Sequence, residues 1–209
     1  HSTTKYLNGH SDIVGGAVLA RDEALGEEIA WWGNCLGLTG SPFDAWQCLR
    51  GIRTLFARLR QQQESAAEIA ELLKSHPAVQ AVHYPGLAAH PQHRLARRQQ
   101  RGFGAMVSFE LTDEDAARRF CSGLSCFSLA ESLGGVESLI AHPATMTHAA
   151  MDPAARRVAG ISDGLLRLSV GLEAPEDLTR DLGSALARAA VTPRMRETPV
   201  IARPIAASA

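Results

Sequence analysis

Lysine is scarce in this sequence: of 209 residues, only Lys5 and Lys74 are lysines. The formal net charge is −1, so the chain has no basic excess of the kind that binds nucleic acid. No apolar run approaches the length of about 18 residues that spans a membrane, and no secretory signal is visible. These absences predict a cytoplasmic protein without a nucleic-acid or membrane partner, and they make each lysine worth examining.

Cysteine is also sparse, and no two of the four cysteines form a C-x-x-C pair. Cys35 and Cys48 lie in apolar, helical-looking surroundings, which predicts free, buried thiols in a reducing compartment. The histidines lack cysteines or acids at convincing ligand spacing. We therefore predict no metal site.

The pattern along the chain alternates between helix and strand. Residues 1–14 are rich in small polar residues and predict a loop, and residues 15–20 predict a buried strand. Apolar residues at spacings of three and four then predict one long helix from residue 42 to about 75, with a polar middle that suggests a domain boundary near residue 63. Strands near 79–84, 105–111, 138–142 and 165–172, with helices between them, predict an α/β fold with helices against one sheet. Residues 191–209 predict a flexible tail.

The N-terminal loop has a composition that suits an aldehyde cofactor carrying a phosphate. A neutral lysine amine can form a Schiff base with an aldehyde, and phosphates prefer hydroxyl groups and free backbone N–H groups. Ser2 and Thr4 stand close before Lys5, so one short loop could hold both ends of such a molecule. By itself the pattern also fits an ordinary surface lysine among hydroxyls.

Two further segments contain candidate binding residues. Arg167 lies inside an apolar strand, where a charge is costly unless it is paired. Its planar guanidinium suits a substrate carboxylate, and a structural ion pair is the alternative. Residues 129–138 are rich in small residues and glycine, which permit either close approach to a ligand or a tight turn.

Taken together, these segments resemble the Cys/Met-metabolism family of fold-type I pyridoxal-phosphate (PLP) enzymes. The matching segments, in the family's order, are residues 1–12 (HSTTKYLNGHSD), 49–55 (LRGIRTL), 84–87 (YPGL), 102–106 (GFGAM), 130–138 (AESLGGVES), 145–149 (TMTHA) and 166–173 (LRLSVGLE). Within the family, residues 30–34, 98–106 and 108–111 are most similar to the bacterial cystathionine γ-synthases. The likeness covers residues 1 to about 190.

The resemblance implies a fold and a domain organisation. Residues 1–63 would be the C-terminal part of the large PLP-binding domain, and residues 64–190 the small C-terminal α/β domain. The chain opens at His1 without an initiator methionine, directly in motif-like sequence. We therefore expect it to be the C-terminal piece of a longer protein whose N-terminal half completes the site, and we expect the piece alone to be inactive. Relatives assemble as homotetramers, each a dimer of dimers.

The resemblance also implies roles at the cofactor. Lys5 would hold PLP as a Schiff base and move protons during catalysis. Ser2 and Thr4 would bind the phosphate.

At the substrate, Arg167 would bind the α-carboxylate, supported by Ser132. Glu131 stands where enzymes that act at the γ-carbon keep an acid, and Asn34 would contact the distal end of the substrate.

The implied reaction is γ-replacement in methionine biosynthesis, which joins O-succinyl-L-homoserine or another activated homoserine ester to L-cysteine and forms cystathionine. The alternatives are cystathionine γ-lyase, which releases cysteine, ammonia and 2-oxobutanoate, and an inactive structural fragment when the chain is isolated.

Overall fold

The computed structural model describes residues 1–191, and the predicted α/β class is confirmed. The helices are α1 (Glu23–Cys35), α2 (Pro42–Ser75), α3 (His93–Gln99), α4 (Glu114–Cys121), α5 (Pro153–Val158) and α6 (Pro175–Ala190). The strands are β1 (Ala81–His83), β2 (Met106–Glu110), β3 (Phe127–Leu129), β4 (Ser138–Ala141) and β5 (Leu165–Ser169). The tail predicted for residues 191–209 lies, beyond Val191, outside the described residues.

Short polar side chains cap the beginnings of α1 and α2. The Asp22 carboxylate accepts a hydrogen bond from the Leu25 N–H at 2.9 Å at the start of α1. The Ser41 hydroxyl accepts from the Asp44 N–H at 3.3 Å before α2, and Pro42 occupies the first turn of that helix. These caps satisfy N–H groups that have no partner inside the helix, so they fix where each helix begins.

Helix α2 is one continuous element of 34 residues, as its apolar spacing predicts. Its first half exposes large apolar side chains, among them Phe43, Trp46 and Phe56. Its second half buries one face in the core, with Ile69 and Leu73 fully inaccessible. The burial therefore changes along α2 near residue 63, although the helix itself continues; the division into two domains stays a prediction.

The five strands form one sheet in the order β1-β2-β5-β4-β3. All neighbouring strands are antiparallel except β3 and β4. Val107 and Phe109 of β2 and Leu166 and Leu168 of β5 are fully buried in a core that α2, α4 and α6 complete. Because side chains alternate across a strand, Arg167 lies on the face of β5 opposite to this core. The sheet thus presents Arg167 on the face directed away from these helices.

Two strand predictions differ from the structure. Residues 15–20 do not form a strand: Val18 and Leu19 are exposed, and the segment has only an isolated bridge between Ser2 and Gly16 within residues 1–191. A strand requires a neighbour to pair its backbone groups, and no named strand of the described chain lies beside this run. The prediction also missed β3, because its three residues are too few to show a periodic pattern in the sequence.

All four cysteines are free, as predicted. Cys48 is buried, but the prediction of burial is wrong for Cys35, because α1 buries none of its residues in the described structure. No helix within residues 1–191 is long and apolar enough to cross a membrane. The same residues hold no cluster of histidine, cysteine and acidic side chains that could ligate a metal ion.

Candidate active site

Lys5 lies in a short π-helical turn, Thr3–Leu7, and breaks its helical geometry with φ −97° and ψ −134°. The turn is closed by hydrogen bonds from the Thr3 N–H to the Gly15 carbonyl at 3.0 Å and from the Gly9 N–H to the Lys5 carbonyl at 2.8 Å. The Lys5 Nζ donates a hydrogen bond to the Ser132 Oγ at 3.1 Å, across 127 residues of sequence. The fold therefore brings together the N-terminal loop and the glycine-rich segment that the sequence singles out.

The two candidate phosphate ligands differ in their surroundings. The Thr4 hydroxyl accepts from the Gly15 N–H at 3.0 Å and donates to the Gly15 carbonyl at 3.2 Å, so it braces the loop. Ser2 is exposed, and its side chain has no hydrogen-bond partner within residues 1–191. A lysine amine and an exposed serine hydroxyl lie at the same N-terminal turn, which fits an aldehyde that carries a phosphate.

Arg167 reaches from β5 to the loop that contains Ser132. Its Nη2 donates to the Glu131 carbonyl at 2.6 Å and to the Ser132 carbonyl at 3.2 Å. The Nε atom is buried and has no partner among the described residues. Burial lowers the pKa of Arg167 from its ordinary value, and the charges of Glu131 and Tyr6 oppose this shift.

No carboxylate forms an ion pair with Arg167 within residues 1–191, so the alternative of a structural ion pair is not found there. Backbone carbonyls fix the guanidinium but do not neutralise it. Arg167 is therefore oriented and still able to bind an anion such as a carboxylate.

The segment of residues 131–138, here called the serine loop, approaches the lysine turn closely. Gly134 has φ +80°, and a Cβ atom at this position would lie 2.8 Å from the Tyr6 nitrogen. The Gly134 N–H donates to the Ser169 Oγ at 2.8 Å. Only glycine combines this backbone conformation with such proximity, so close approach, rather than a turn alone, accounts for the glycine here.

Burial raises the pKa of Tyr6, and the nearby Ser169 hydroxyl and the charge of Arg167 oppose the shift. The Tyr6 side chain thus extends from the lysine turn towards β5.

The structure does not bring all predicted residues together. The Glu131 side chain is exposed, and only its backbone carbonyl contacts Arg167. Asn34 lies exposed near the end of α1 and has no side-chain hydrogen bond within residues 1–191. Lys5, Ser132 and Arg167 form the centre, while the described contacts leave Asn34 outside it.

Sequence reasoning missed two buried polar residues of α2, Arg58 and Gln62, which are 4% and 0% exposed. They contact the lysine turn and the serine loop, respectively. A signal was present: they stand four residues apart and continue, at helical spacing, the face that buries Ala66, Ile69 and Leu73.

The α/β fold, together with the hydrogen-bonded group of Lys5, Ser132 and Arg167, is that of a fold-type I PLP-dependent enzyme. The chain belongs to the family described as Cys/Met metabolism PLP-dependent enzyme, whose sequence profile matches residues 1–187. The cofactor of this family is pyridoxal 5′-phosphate, which confirms the prediction of PLP.

The chain is similar to proteins that carry different activity names. It is 56% identical over 183 residues to cystathionine gamma-synthase of Escherichia coli K12, covering 87% of this chain and 47% of the relative. It is 52% identical over 186 residues to a cystathionine beta-lyase of Lactococcus lactis subsp. cremoris, covering 89% and 49%. Proteins named cystathionine gamma-lyase also match.

Among solved structures, cystathionine gamma synthase of Xanthomonas oryzae pv. oryzae, in complex with aminoacrylate and cysteine, superposes with a TM-score of 0.88 at 67% identity. The superposition covers 90% of this chain and 49% of that chain. The chain thus spans about half the length of the relatives it matches.

Proposed function

We propose that the protein containing this chain catalyses PLP-dependent γ-replacement, forming cystathionine from O-succinyl-L-homoserine, or another activated homoserine ester, and L-cysteine. The observation that carries the proposal is the group formed by Lys5, Ser132 and Arg167. The lysine amine lies 3.1 Å from the serine hydroxyl, and the arginine donates to the carbonyls beside that serine. An amine from the N-terminal turn and a cation from β5, both hydrogen-bonded to the segment that contains Ser132, suit an α-amino acid substrate.

The cofactor, when bound, supplies an electron sink that stabilises negative charge at the substrate α-carbon. We propose that Lys5 Nζ anchors the cofactor and then holds and moves protons between the α- and β-carbons. Ser132 Oγ, already within hydrogen-bond distance of Nζ, orients the amine. Arg167 binds the α-carboxylate and fixes the substrate's orientation, and Ser2 and Thr4 line the phosphate end.

The choice of γ-replacement is supported by the 67% identity to the Xanthomonas γ-synthase and by the acid at Glu131. A carboxylate there suits chemistry at the γ-carbon, because it lies next to Ser132 and its exposed side chain is free to approach a distal substrate group. Asn34 is a second proposed contact to that distal group. Cystathionine γ-lyase is the second candidate, because proteins named cystathionine gamma-lyase match the same part of the chain.

The test supplies the complete protein with O-succinyl-L-homoserine and L-cysteine and measures cystathionine. Cystathionine formation at a rate above the breakdown of added cystathionine supports the proposal. Rapid release of 2-oxobutanoate from cystathionine, without synthesis, would instead identify a γ-lyase, and release of pyruvate a β-lyase.

The chain offers a matched control for the anchor, because it holds one other lysine. Lys74 is exposed and pairs with Glu71 at 3.0 Å. Lys5→Ala should abolish the visible absorbance of the holoprotein and borohydride fixation of the cofactor, whereas Lys74→Ala should leave both unchanged. If the cofactor were fixed elsewhere than Lys5, the proposed site would be wrong.

The proposal includes a cytoplasmic homotetramer, a dimer of dimers. It rests on the resemblance to the family. The exposed Trp31, Trp46 and Phe56 form apolar surface that the N-terminal half or a second subunit would cover. Native mass spectrometry of the complete protein tests the assembly.

A further inference from the structure

Arg58 is a buried arginine beneath the lysine turn. Its Nη2 donates to the Tyr6 carbonyl at 3.0 Å and to the Gly51 carbonyl at 2.7 Å, and its Nε donates to the Thr54 hydroxyl at 3.1 Å. The backbone that follows the turn packs closely against this side chain, because a Cβ atom on Gly9 would lie 2.0 Å from Arg58 Nη1. Arg58 therefore holds the backbone at the residue that directly follows Lys5.

Gln62 repeats the arrangement one helical turn later. It is fully buried, and its Nε2 donates to the Gly135 carbonyl at 2.7 Å. Gly135 belongs to the serine loop, three residues after Ser132. The same face of α2 thus holds one carbonyl from each of the two segments that meet at the Lys5–Ser132 hydrogen bond.

Burial of the Arg58 and Gln62 side chains has a free-energy cost. Within residues 1–191 no carboxylate pairs with Arg58, and Arg58 Nη1 and Gln62 Oε1 have no partner. Burial lowers the pKa of Arg58. A buried charge without a counter-ion costs several kcal/mol, and apolar residues of similar volume would stabilise this helix face more. Packing alone therefore does not account for the pair.

We propose that Arg58 and Gln62 are positioning residues that together set the separation between Lys5 Nζ and Ser132 Oγ. Four helical residues rise by about 6 Å, so the two donors hold their carbonyls at a spacing fixed by the helix and not by the loops. The inference rests on the proposed role of Lys5 as the cofactor anchor.

The test measures the reaction of Lys5 with PLP in the complete protein freed of cofactor. The readouts are the rate at which visible absorbance appears and the fraction of the Lys5 peptide that borohydride labels, measured by mass spectrometry. The variants are Arg58→Met, Gln62→Met and both together. Arg60→Met and Gln99→Met, at exposed positions, are the controls.

Each single variant should slow attachment by about 10- to 100-fold, because displacement of a reacting group by about 1 Å has effects of that size. The double variant should react at nearly the rate of the slower single variant. Either change alone already frees the separation between Lys5 Nζ and Ser132 Oγ, so the second change adds little. Arg58→Lys should recover part of the rate, because its ammonium can still donate to the Tyr6 carbonyl. Circular dichroism shows whether Arg58→Met folds. If it does not, the attachment rates of Gln62→Met and Arg58→Lys still test the inference.

Attachment at the parent rate in folded single variants would overturn the inference. So would single effects that multiply in the double variant, because they would show two independent structural roles. Failure of the parent protein itself to react at Lys5 would refute the proposed function instead, so the two failures are distinguishable.

Discussion

Replacement of Glu173 should loosen the contact between the serine loop and the end of β5. Its carboxylate accepts from the Ser138 N–H at 2.7 Å and from the Ser138 hydroxyl at 2.7 Å. The same hydroxyl accepts from the Gly171 N–H at 2.8 Å. Ser138 is fully buried, so water cannot replace the carboxylate while the fold stays intact.

The expected loss follows from the groups left unpaired. In Glu173→Ala the buried Ser138 N–H loses its acceptor, at about 1–3 kcal/mol, and the hydroxyl loses a bond to a charged acceptor, at about 1 kcal/mol more. The free energy of unfolding should therefore fall by about 2–4 kcal/mol. Glu173→Gln retains an acceptor for the N–H and loses only the acceptor for the hydroxyl proton, so about 1 kcal/mol is expected.

Urea unfolding monitored by circular dichroism measures these losses, with Glu176→Ala and Glu176→Gln as controls at an exposed position of α6. The controls should stay within about 0.5 kcal/mol of the parent. Hydrogen exchange by mass spectrometry should show faster exchange in residues 134–139 of Glu173→Ala. A loss no larger than that of Glu176→Ala, with unchanged exchange, would refute the reasoning.

Two further predictions concern titrating groups. Burial raises the pKa of Glu110, but hydrogen bonds from His83 and Ser162 and the charge of His83 outweigh it, so the pKa lies below its ordinary value. This stabilisation is present above the ordinary pKa and is lost as pH falls through the lowered value. Glu110→Gln should therefore lower the free energy of unfolding by about 0.5 kcal/mol at neutral pH, a value discounted for solvent screening. In acid, where Glu110 is protonated in the parent, the parent and the variant should be equally stable. Urea midpoints that differ between the two proteins by the same amount at neutral and acid pH would contradict this. Burial also raises the pKa of Cys121 to about 11. At pH 8 its alkylation by iodoacetamide, followed by mass spectrometry, should be about 100-fold slower than that of free cysteine, and equal rates would contradict the burial argument.

Most of the fold was predictable, because its elements have strong local signals. Helix α2 combines a serine cap, a proline in the first turn and regular apolar spacing. The sequence of β2 alternates in burial along the strand, and that of β5 is mostly apolar; both strands face one core. β3 was not predictable, since its position depends on parallel pairing with β4 and not on its own composition.

Lys5, Ser132 and Arg167 were singled out as site residues through the resemblance and not through periodicity, and the structure brings them together. Lys5 and Ser132 are far apart in sequence, and neither segment alone indicates the other. Arg58 and Gln62 were missed because polar residues in the middle of a helix usually mark a solvated stretch. Their partners are backbone carbonyls of distant loops. Because every residue has a backbone carbonyl, the sequence does not indicate which one will accept a hydrogen bond.

The contacts of the serine loop divide into two sets with separate consequences. Ser169 and Glu173 tie the loop to β5, the strand that carries Arg167. These bonds fix Ser132 relative to the Arg167 guanidinium, which we propose binds the substrate carboxylate, so Glu173 variants should weaken binding of carboxylate ligands. Gln62 instead ties the loop to α2, and through α2 to the Lys5 turn. Glu173 variants should therefore affect mainly substrate binding, and Gln62 variants mainly the reaction of Lys5, because a strand and a helix hold the same loop from different sides.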